Sequence, residues 1–289
     1  MIKYLNDCRV DAFVGSGFSQ REPPCLVPEE FSSGVRVPSG SWSPVPVATA
    51  SDTGAIDCRF DGATIFVVSL APEILNDAYR LLSDSLHPSV EFPEISRTLN
   101  SVDCSLLTRK IESSIRTYFV KYDLVISEPV VACSFLHLSE EENGINDKST
   151  TQDVSTNCGL RGMHVDNWQL PPIAPMHRTM AAYKLLVNMG TTKRGFSFVD
   201  FPISTFAREL QELTEPLDPY LKWAVEQPYA TPLAEYLLSN PGLLRPNLIQ
   251  YPPGTALLAP VQNLIHDGYP EGMNDADFCL QARIHVEVN

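Results

Sequence analysis

His164 and Asp166 are separated by one residue in the stretch Arg161-Gly162-Met163-His164-Val165-Asp166-Asn167-Trp168, and His266 follows far downstream at the end of an apolar run. Side chains alternate along a strand, so His164 and Asp166 share a face there while Val165 points the other way. Two imidazoles and one carboxylate can occupy one face of a divalent metal and leave the opposite face open. That donor set suits ferrous iron, which must bind a co-substrate and dioxygen side by side. The triplet alone is a weak signal, because chance supplies it in roughly a third of chains of this composition. Its surroundings have to carry the argument.

Those surroundings are β-rich. Pro129 to Leu138 reads as a strand, and the polar stretch Ser139 to Asn157 reads as a loop ahead of the His164–Asp166 strand. Ala181 to Met189 and Gly195 to Phe201 form two β-rich runs, with Gly190-Thr191-Thr192-Lys193-Arg194 between them as a hairpin signal. Thr205 to Glu226 and Thr231 to Leu238 have helical spacing and read as an insertion. Pro252-Pro253-Gly254 turns the chain into a strand expected over Thr255 to His266, and Phe278 to Val288 alternates as a closing strand. This order fits an antiparallel jelly roll.

The N-terminal part is less regular. Residues 1 to about 62 are rich in Pro, Ser and Gly and read as short strands and loops. Ala63 to Val68 is a strand. Pro72 then opens a helix with Ile74, Leu75, Ala78, Leu81 and Leu82 at helical spacing, and a second helix is expected over Leu107 to Tyr118. These two helices are expected to buttress the sheet from outside, with no part in the chemistry. No glycine-rich phosphate loop follows a strand, and Gly15-Ser16-Gly17 reads as a turn.

Composition narrows the field further. A chain of 289 residues with 44% hydrophobic and 19% charged content has the length and balance of a folded protein with a substantial core. The net charge of -14 and the lack of any Lys/Arg cluster longer than Lys193-Arg194 argue against gripping nucleic acid. The first residues have no extended apolar region, and the apolar stretch Ala63 to Leu75 is broken by Pro72. Neither a signal peptide nor a membrane span is therefore expected. Seven cysteines without a Cys-x-x-Cys pair suggest reduced thiols in a cytoplasmic setting.

With these elements in order, the chain resembles the Fe(II)/2-oxoglutarate-dependent dioxygenases. The features carrying the resemblance are His164-Val165-Asp166, the β pair Leu185 to Phe201, the Pro-Gly turn with Ala256-Leu257-Leu258 leading to His266, and Arg283 on the last strand. The likeness as a whole spans roughly residues 128 to 289. The resemblance implies a mainly β (α+β) fold with flanking helices around a double-stranded β-helix core, a jelly roll of cupin-like type. It implies one domain over 1–289, with N-terminal strands and buttress helices in 1–127. It also implies that His164, Asp166 and His266 hold Fe(II), and that Arg283 pairs with the distal carboxylate of 2-oxoglutarate through a planar fork of donors. Asp166 fills the position that related halogenating enzymes leave open for halide, so chlorination is disfavoured. The implied reaction uses O2 to oxidise a C–H bond of a small molecule, an amino acid or a natural-product intermediate of secondary metabolism. Hydroxylation, desaturation or ring closure would follow.

Alternation in the last strand supports the place given to Arg283. Phe278, Leu280, Ala282, Ile284, Val286 and Val288 form one apolar face, leaving Cys279, Gln281, Arg283 and His285 on the other, expected to line the cavity. Rival readings stay open. For Arg283 the rival is a salt bridge with one of the many acidic groups. His177 reads as a loop residue, His285 as a second-layer or core residue, and His137 as either cavity-facing or packed. Trp168 either walls a substrate pocket or simply packs. One of Tyr183, Lys184, Asn188 and Arg194 is expected to meet the co-substrate or substrate, and strand parity alone does not choose among them. A cupin-like metalloenzyme that does not use 2-oxoglutarate and a non-catalytic binding module are the alternatives in function.

Overall fold

Hydrophobic runs along the chain assemble into two facing, largely antiparallel sheets with helices on their outer sides, and a separate two-stranded sheet joins Phe18–Arg21 to Val35–Pro38. The structure is a computed structural model, and it describes residues 1–21, 35–39, 41–46, 58–85, 102–133, 162–168, 172–180, 183–213, 218–240, 244–269 and 278–288. In chain order the strands are β1 (Ile2–Tyr4), β2 (Asp11–Gly15), β3 (Phe18–Arg21), β4 (Val35–Pro38), β5 (Trp42–Val45), β6 (Ile65–Ser69), β7 (Tyr122–Cys133), β8 (Tyr183–Asn188), β9 (Arg194–Val199), β10 (Pro246–Tyr251), β11 (Thr255–Ala259), β12 (His266–Tyr269) and β13 (Phe278–Val288). The helices are α1 (Pro72–Ser85), α2 (Ser105–Arg116), α3 (Ile203–Glu212), α4 (Pro219–Glu226) and α5 (Thr231–Ser239), with a short 3-10 turn over Pro175–Met180.

The larger sheet runs β1-β6-β11-β8-β13-β7 and the smaller one β12-β9-β10-β2-β5. From β7 onward the chain alternates between them: β7 in the larger, the His164 segment bridged to the smaller, β8 larger, β9 and β10 smaller, β11 larger, β12 smaller, β13 larger. That alternation is the winding of a double-stranded β-helix, the jelly roll expected from sequence. The N-terminal strands extend both sheets: β1 lies parallel to β6, which borders β11, while β2 lies antiparallel to β10.

Side-chain alternation sorts the core into three clusters. Between the sheets lie Leu186, Phe196, Phe198, Ile249, Tyr251, Leu257 and Cys279. Outside the larger sheet, Ile74, Ala78 and Leu82 of α1 and Leu107, Ile111 and Ile115 of α2 cover Phe66, Leu185, Val187, Leu280, Ala282 and Ile284. The spacing of these helix residues gives each helix one apolar stripe, and the buttress role expected for the pair holds. Outside the smaller sheet, Val199 and Ile265 pack with α3, α4 and α5. Asp218 caps α4 by accepting from the Tyr220 amide, with Pro219 in the first turn.

Several boundaries differ from expectation, each for a physical reason. β8 and β9 do not pair with each other; the Gly190 turn carries the chain from one sheet to the other instead of closing a hairpin. The run expected as one strand from Thr255 to His266 is cut at Pro260, which lacks an amide donor. Residues 260–265 turn, and His266 opens β12 in the opposite sheet. The helical stretch expected over Thr205 to Glu226 is two helices, α3 and α4. β7 begins at Tyr122, well before Pro129, and reaches across a bulge: Gln281 pairs with Val130 but Arg283 with Ser127, so Glu128 and Pro129 stand opposite Ala282 alone. A proline within a strand belongs at such a bulge. His137 and the expected loop 139–157 lie outside the described residues.

Candidate metal centre

The His164–Asp166 segment is not a regular strand. Its ladder is a single antiparallel bridge between His164 and His266, in which the two residues exchange both backbone hydrogen bonds at 3.0 and 2.7 Å. One residue on, the chain is held by the Asp166 amide donating to the Val261 carbonyl at 3.0 Å. Val165 goes outward into the core beneath the helical insertion, so His164 and Asp166 are left facing inward as expected. On the facing strand the same parity applies. His266 pairs with Phe198 of β9 and points inward with it, and the ring of Phe196 stacks on the His266 imidazole at 5.6 Å.

One ligand atom from each of His164, Asp166 and His266 falls within 4.8 Å of the others, close enough for a single coordination sphere. The two histidines are fixed alike. His164 Nδ1 lies 2.8 Å from the Gly162 carbonyl and His266 Nδ1 lies 3.0 Å from the Leu264 carbonyl, in each case two residues back. A carbonyl can only accept, so Nδ1 carries the proton and Nε2 keeps its lone pair for a metal. Burial, aided by the neighbouring His164 and opposed by the Asp166 carboxylate, lowers His266 to about 3. A neutral imidazole is the form a metal needs. The donor set therefore fits a divalent transition metal.

Asp166 is buried, which by itself raises a carboxylate. The Lys184 ammonium, with His164 and His266 beside it, outweighs that and holds it well below the ordinary range. Lys184 Nζ lies 3.4 Å from Asp166 Oδ2, while His164 Nε2 lies 3.5 Å from Oδ1. Of the four residues left open on the neighbouring strands, Lys184 is the one that reaches the metal group. Tyr183 points outward into the core under the buttress helices. Asn188 is spent on the Thr192 and Tyr251 carbonyls and the Gly190 amide. Arg194 is buried beside Tyr251 and Cys279, and Cys279 stands opposite Asn188 at the far end of β8.

Arg283 stands directly opposite Lys184 in the β13–β8 register, so both project into the barrel interior. Its Nη1 donates to Glu128 Oε2 at 2.7 Å and its guanidinium lies 4.5 Å from the centre of the Trp168 ring. The salt bridge weighed as a rival from sequence is thus present. Glu128 reaches it from the β7 bulge, with a positive φ of 49° that is unusual for a residue with a side chain. Trp168 packs its face on Arg283, and its ring lies 6.2 Å from that of His285 and nearly perpendicular to it. His285 itself is exposed, which corrects the second-layer or core placement: the cavity-facing side of β13 opens to solvent at this end. His177 is exposed in the 3-10 turn and takes no part.

Arg178 is a participant for which the sequence carried no periodic signal. Its buried guanidinium donates to the carbonyls of Asp166, Gln262, Ile173 and Pro228 and to the Asn167 side-chain oxygen, over 2.7 to 3.3 Å. It thereby ties the His164–Asp166 segment to the turn that delivers His266. Desolvation lowers it to about 10.

No known protein-family pattern matches the sequence, and no curated protein does. Among solved structures, the chain is similar to the Kdo hydroxylase KdoO, a non-heme Fe(II) alphaketoglutarate-dependent dioxygenase, in complex with alphaketoglutarate and Fe(III), at 14% identity and a TM-score of 0.39, over 79% of this chain and 81% of that one. The complex of KdoO with succinate and Fe(III) aligns at 13% identity with the same TM-score, over 79% of this chain and 80% of that one.

Proposed function

We propose that the chain, as one catalytic unit over residues 1–289, is a non-haem Fe(II)/2-oxoglutarate-dependent oxygenase acting on a C–H bond of a small molecule. The observation that carries this reading is the convergence of His164, Asp166 and His266 beside an inward-facing pair of cations, Lys184 and Arg283. Iron would be held by Nε2 of the two histidines and by Asp166. The group supplies activation of O2: in a hydroxylation one oxygen atom enters the substrate and the other enters succinate as 2-oxoglutarate loses CO2.

The remaining work falls to side chains of the chain. The carbonyls of Gly162 and Leu264 fix the histidine tautomers. Arg283 takes the distal carboxylate of 2-oxoglutarate with the edge that Glu128 leaves open, since among the described residues Glu128 and Trp168 are its partners. Phe196 and Trp168 wall the site and keep water from it. An amino acid or natural-product intermediate fits as substrate, and the charge of -14 disfavours nucleic acid. Free thiols at Cys8, Cys58, Cys104 and Cys279 agree with a cytoplasmic setting. No helix among the described residues is long and apolar enough to cross a membrane.

Anaerobic protein given Fe(II) and 2-oxoglutarate is expected to show the weak visible charge-transfer band of the chelate. His164→Ala and Asp166→Ala are expected to lose that band together with substrate-dependent succinate formation. Undiminished turnover in either variant rules the assignment out. The pairing of Arg283 with Glu128 favours one second reading, a cupin-like metalloenzyme indifferent to 2-oxoglutarate. Arg283→Met separates the two: the first reading requires loss of 2-oxoglutarate affinity, the second no change.

A further inference from the structure

Lys184 and Arg283 are directly opposed on β8 and β13, with both side chains on the inner face. Like charges in that relationship destabilise a sheet. In this site each cation is offset by its own carboxylate: Lys184 by Asp166 at 3.4 Å and Arg283 by Glu128 at 2.7 Å. The two carboxylates differ in what else they face. Glu128 is an exposed residue on the β7 bulge, whereas Asp166 belongs to the metal group.

An ammonium beside a dication site does not serve metal affinity, because the two repel. When a divalent metal takes the charge of Asp166, Lys184 is left inside the barrel without a full counterion. Its side chain is only 22% exposed, so solvent replaces that counterion poorly. We propose that Lys184 is an anion-binding residue for the metal-loaded site, receiving the carboxylate that a 2-oxo acid brings to the metal, while Arg283 receives the carboxylate at the other end. Metal occupancy and anion binding are thereby coupled through Asp166. The inference rests on the 2-oxoglutarate reading given above and adds to it a second cation with a separate task.

The two cations are separable with two ligands. Co(II) serves as a redox-quiet metal, and 2-oxoglutarate is compared with 2-oxobutyrate, which lacks the distal carboxylate. Binding of each acid to Co(II)-saturated protein is measured by calorimetry for the wild type, Lys184→Met, Lys184→Arg and Arg283→Met. Lys184→Met is expected to weaken both acids about tenfold, the worth of one charge-assisted hydrogen bond, while Co(II) affinity stays the same or rises. Lys184→Arg should restore most of the acid affinity. Arg283→Met should weaken 2-oxoglutarate alone.

Weaker Co(II) binding by Lys184→Met, with acid affinity unchanged at saturating metal, overturns the proposal and makes Lys184 a positioning partner of Asp166. Unchanged affinities for metal and acids overturn it as well. If Lys184→Met fails to fold, Lys184→Gln takes its place with the same expected and excluded results. Failure of wild-type, Co(II)-loaded protein to bind any 2-oxo acid is a different outcome, which removes the underlying functional reading itself.

Discussion

His164 and His266 are joined by their backbones before any metal is considered. They exchange two hydrogen bonds at 3.0 and 2.7 Å, and their rings lie 4.7 Å apart with 47° between the planes. The two segments are remote in sequence, yet the same pair of bonds that extends the smaller sheet brings the candidate metal ligands together. A site held this way is organised by the fold.

Metal removal should therefore leave the fold in place. Chelator-treated protein is expected to keep its β-sheet circular dichroism and to melt only at a lower temperature, by the amount that metal binding to the native state adds. Collapse of the far-ultraviolet spectrum on adding chelator would contradict preorganisation.

Gly195 lies opposite Tyr269 where β9 meets β12, the strand that His266 opens. A β-carbon at Gly195 would stand 2.2 Å from the Tyr269 carbonyl oxygen, a backbone atom without room to yield. Gly195→Ala should lower stability by about 1–3 kcal/mol and weaken metal binding by displacing β12. Urea denaturation and Co(II) titration check the two effects. A variant with wild-type values for both shows that β12 does not need this close approach.

The donors of Arg178 are divided among four carbonyls and an amide oxygen, and none of these five acceptors is a carboxylate. Arg178→Lys keeps the charge and loses the fork, so most of these acceptors lose their donor in a buried place. A loss of about 3 kcal/mol is expected, with weaker Co(II) binding measured well below the melting temperature. Metal affinity equal to the wild type would limit Arg178 to general packing.

Acid should destabilise the metal-free protein early. His266 is held at about 3 by burial, against 6.5 for the free side chain. The unfolded chain therefore takes up a proton that the folded state refuses, and stability falls as pH drops from about 6.5 toward 3, by up to about 1.4 kcal/mol per pH unit. Asp166, held well below its ordinary value of 3.8, acts in the same direction at lower pH still. Denaturation midpoints between about pH 7 and pH 4.5 should decline for the wild type and decline less for His266→Gln. Parallel curves would show that His266 is not the group refusing the proton.

Residue types and local spacing already singled out His164, Asp166 and His266 as candidate metal ligands, and the structure brings them within 4.8 Å of one another. A His-x-Asp triplet with a distant histidine after an apolar run was legible because coordination chemistry restricts the donors. The alternation Phe278 to Val288 likewise placed Arg283 and His285 on the cavity side, and the helical stripes of α1 and α2 were readable from their spacing. The sequence also held a sign of the β7 bulge, since Pro129 sits where a regular ladder needs an amide.

Long-range pairing decided the rest. Parity puts Lys184 and Asn188 on one face, but only the β8–β13 and β8–β11 registers set Lys184 at the metal end and Asn188 at the other. That Pro260 sends the chain across to the opposite sheet, so that His266 meets His164, depends on which strands lie there to receive it. Arg178 and Glu128 reach the site from a 3-10 turn and a bulge, where no periodic signal exists. Periodicity reports which way a side chain faces, whereas its partners are fixed by hydrogen bonds between strands far apart in the chain.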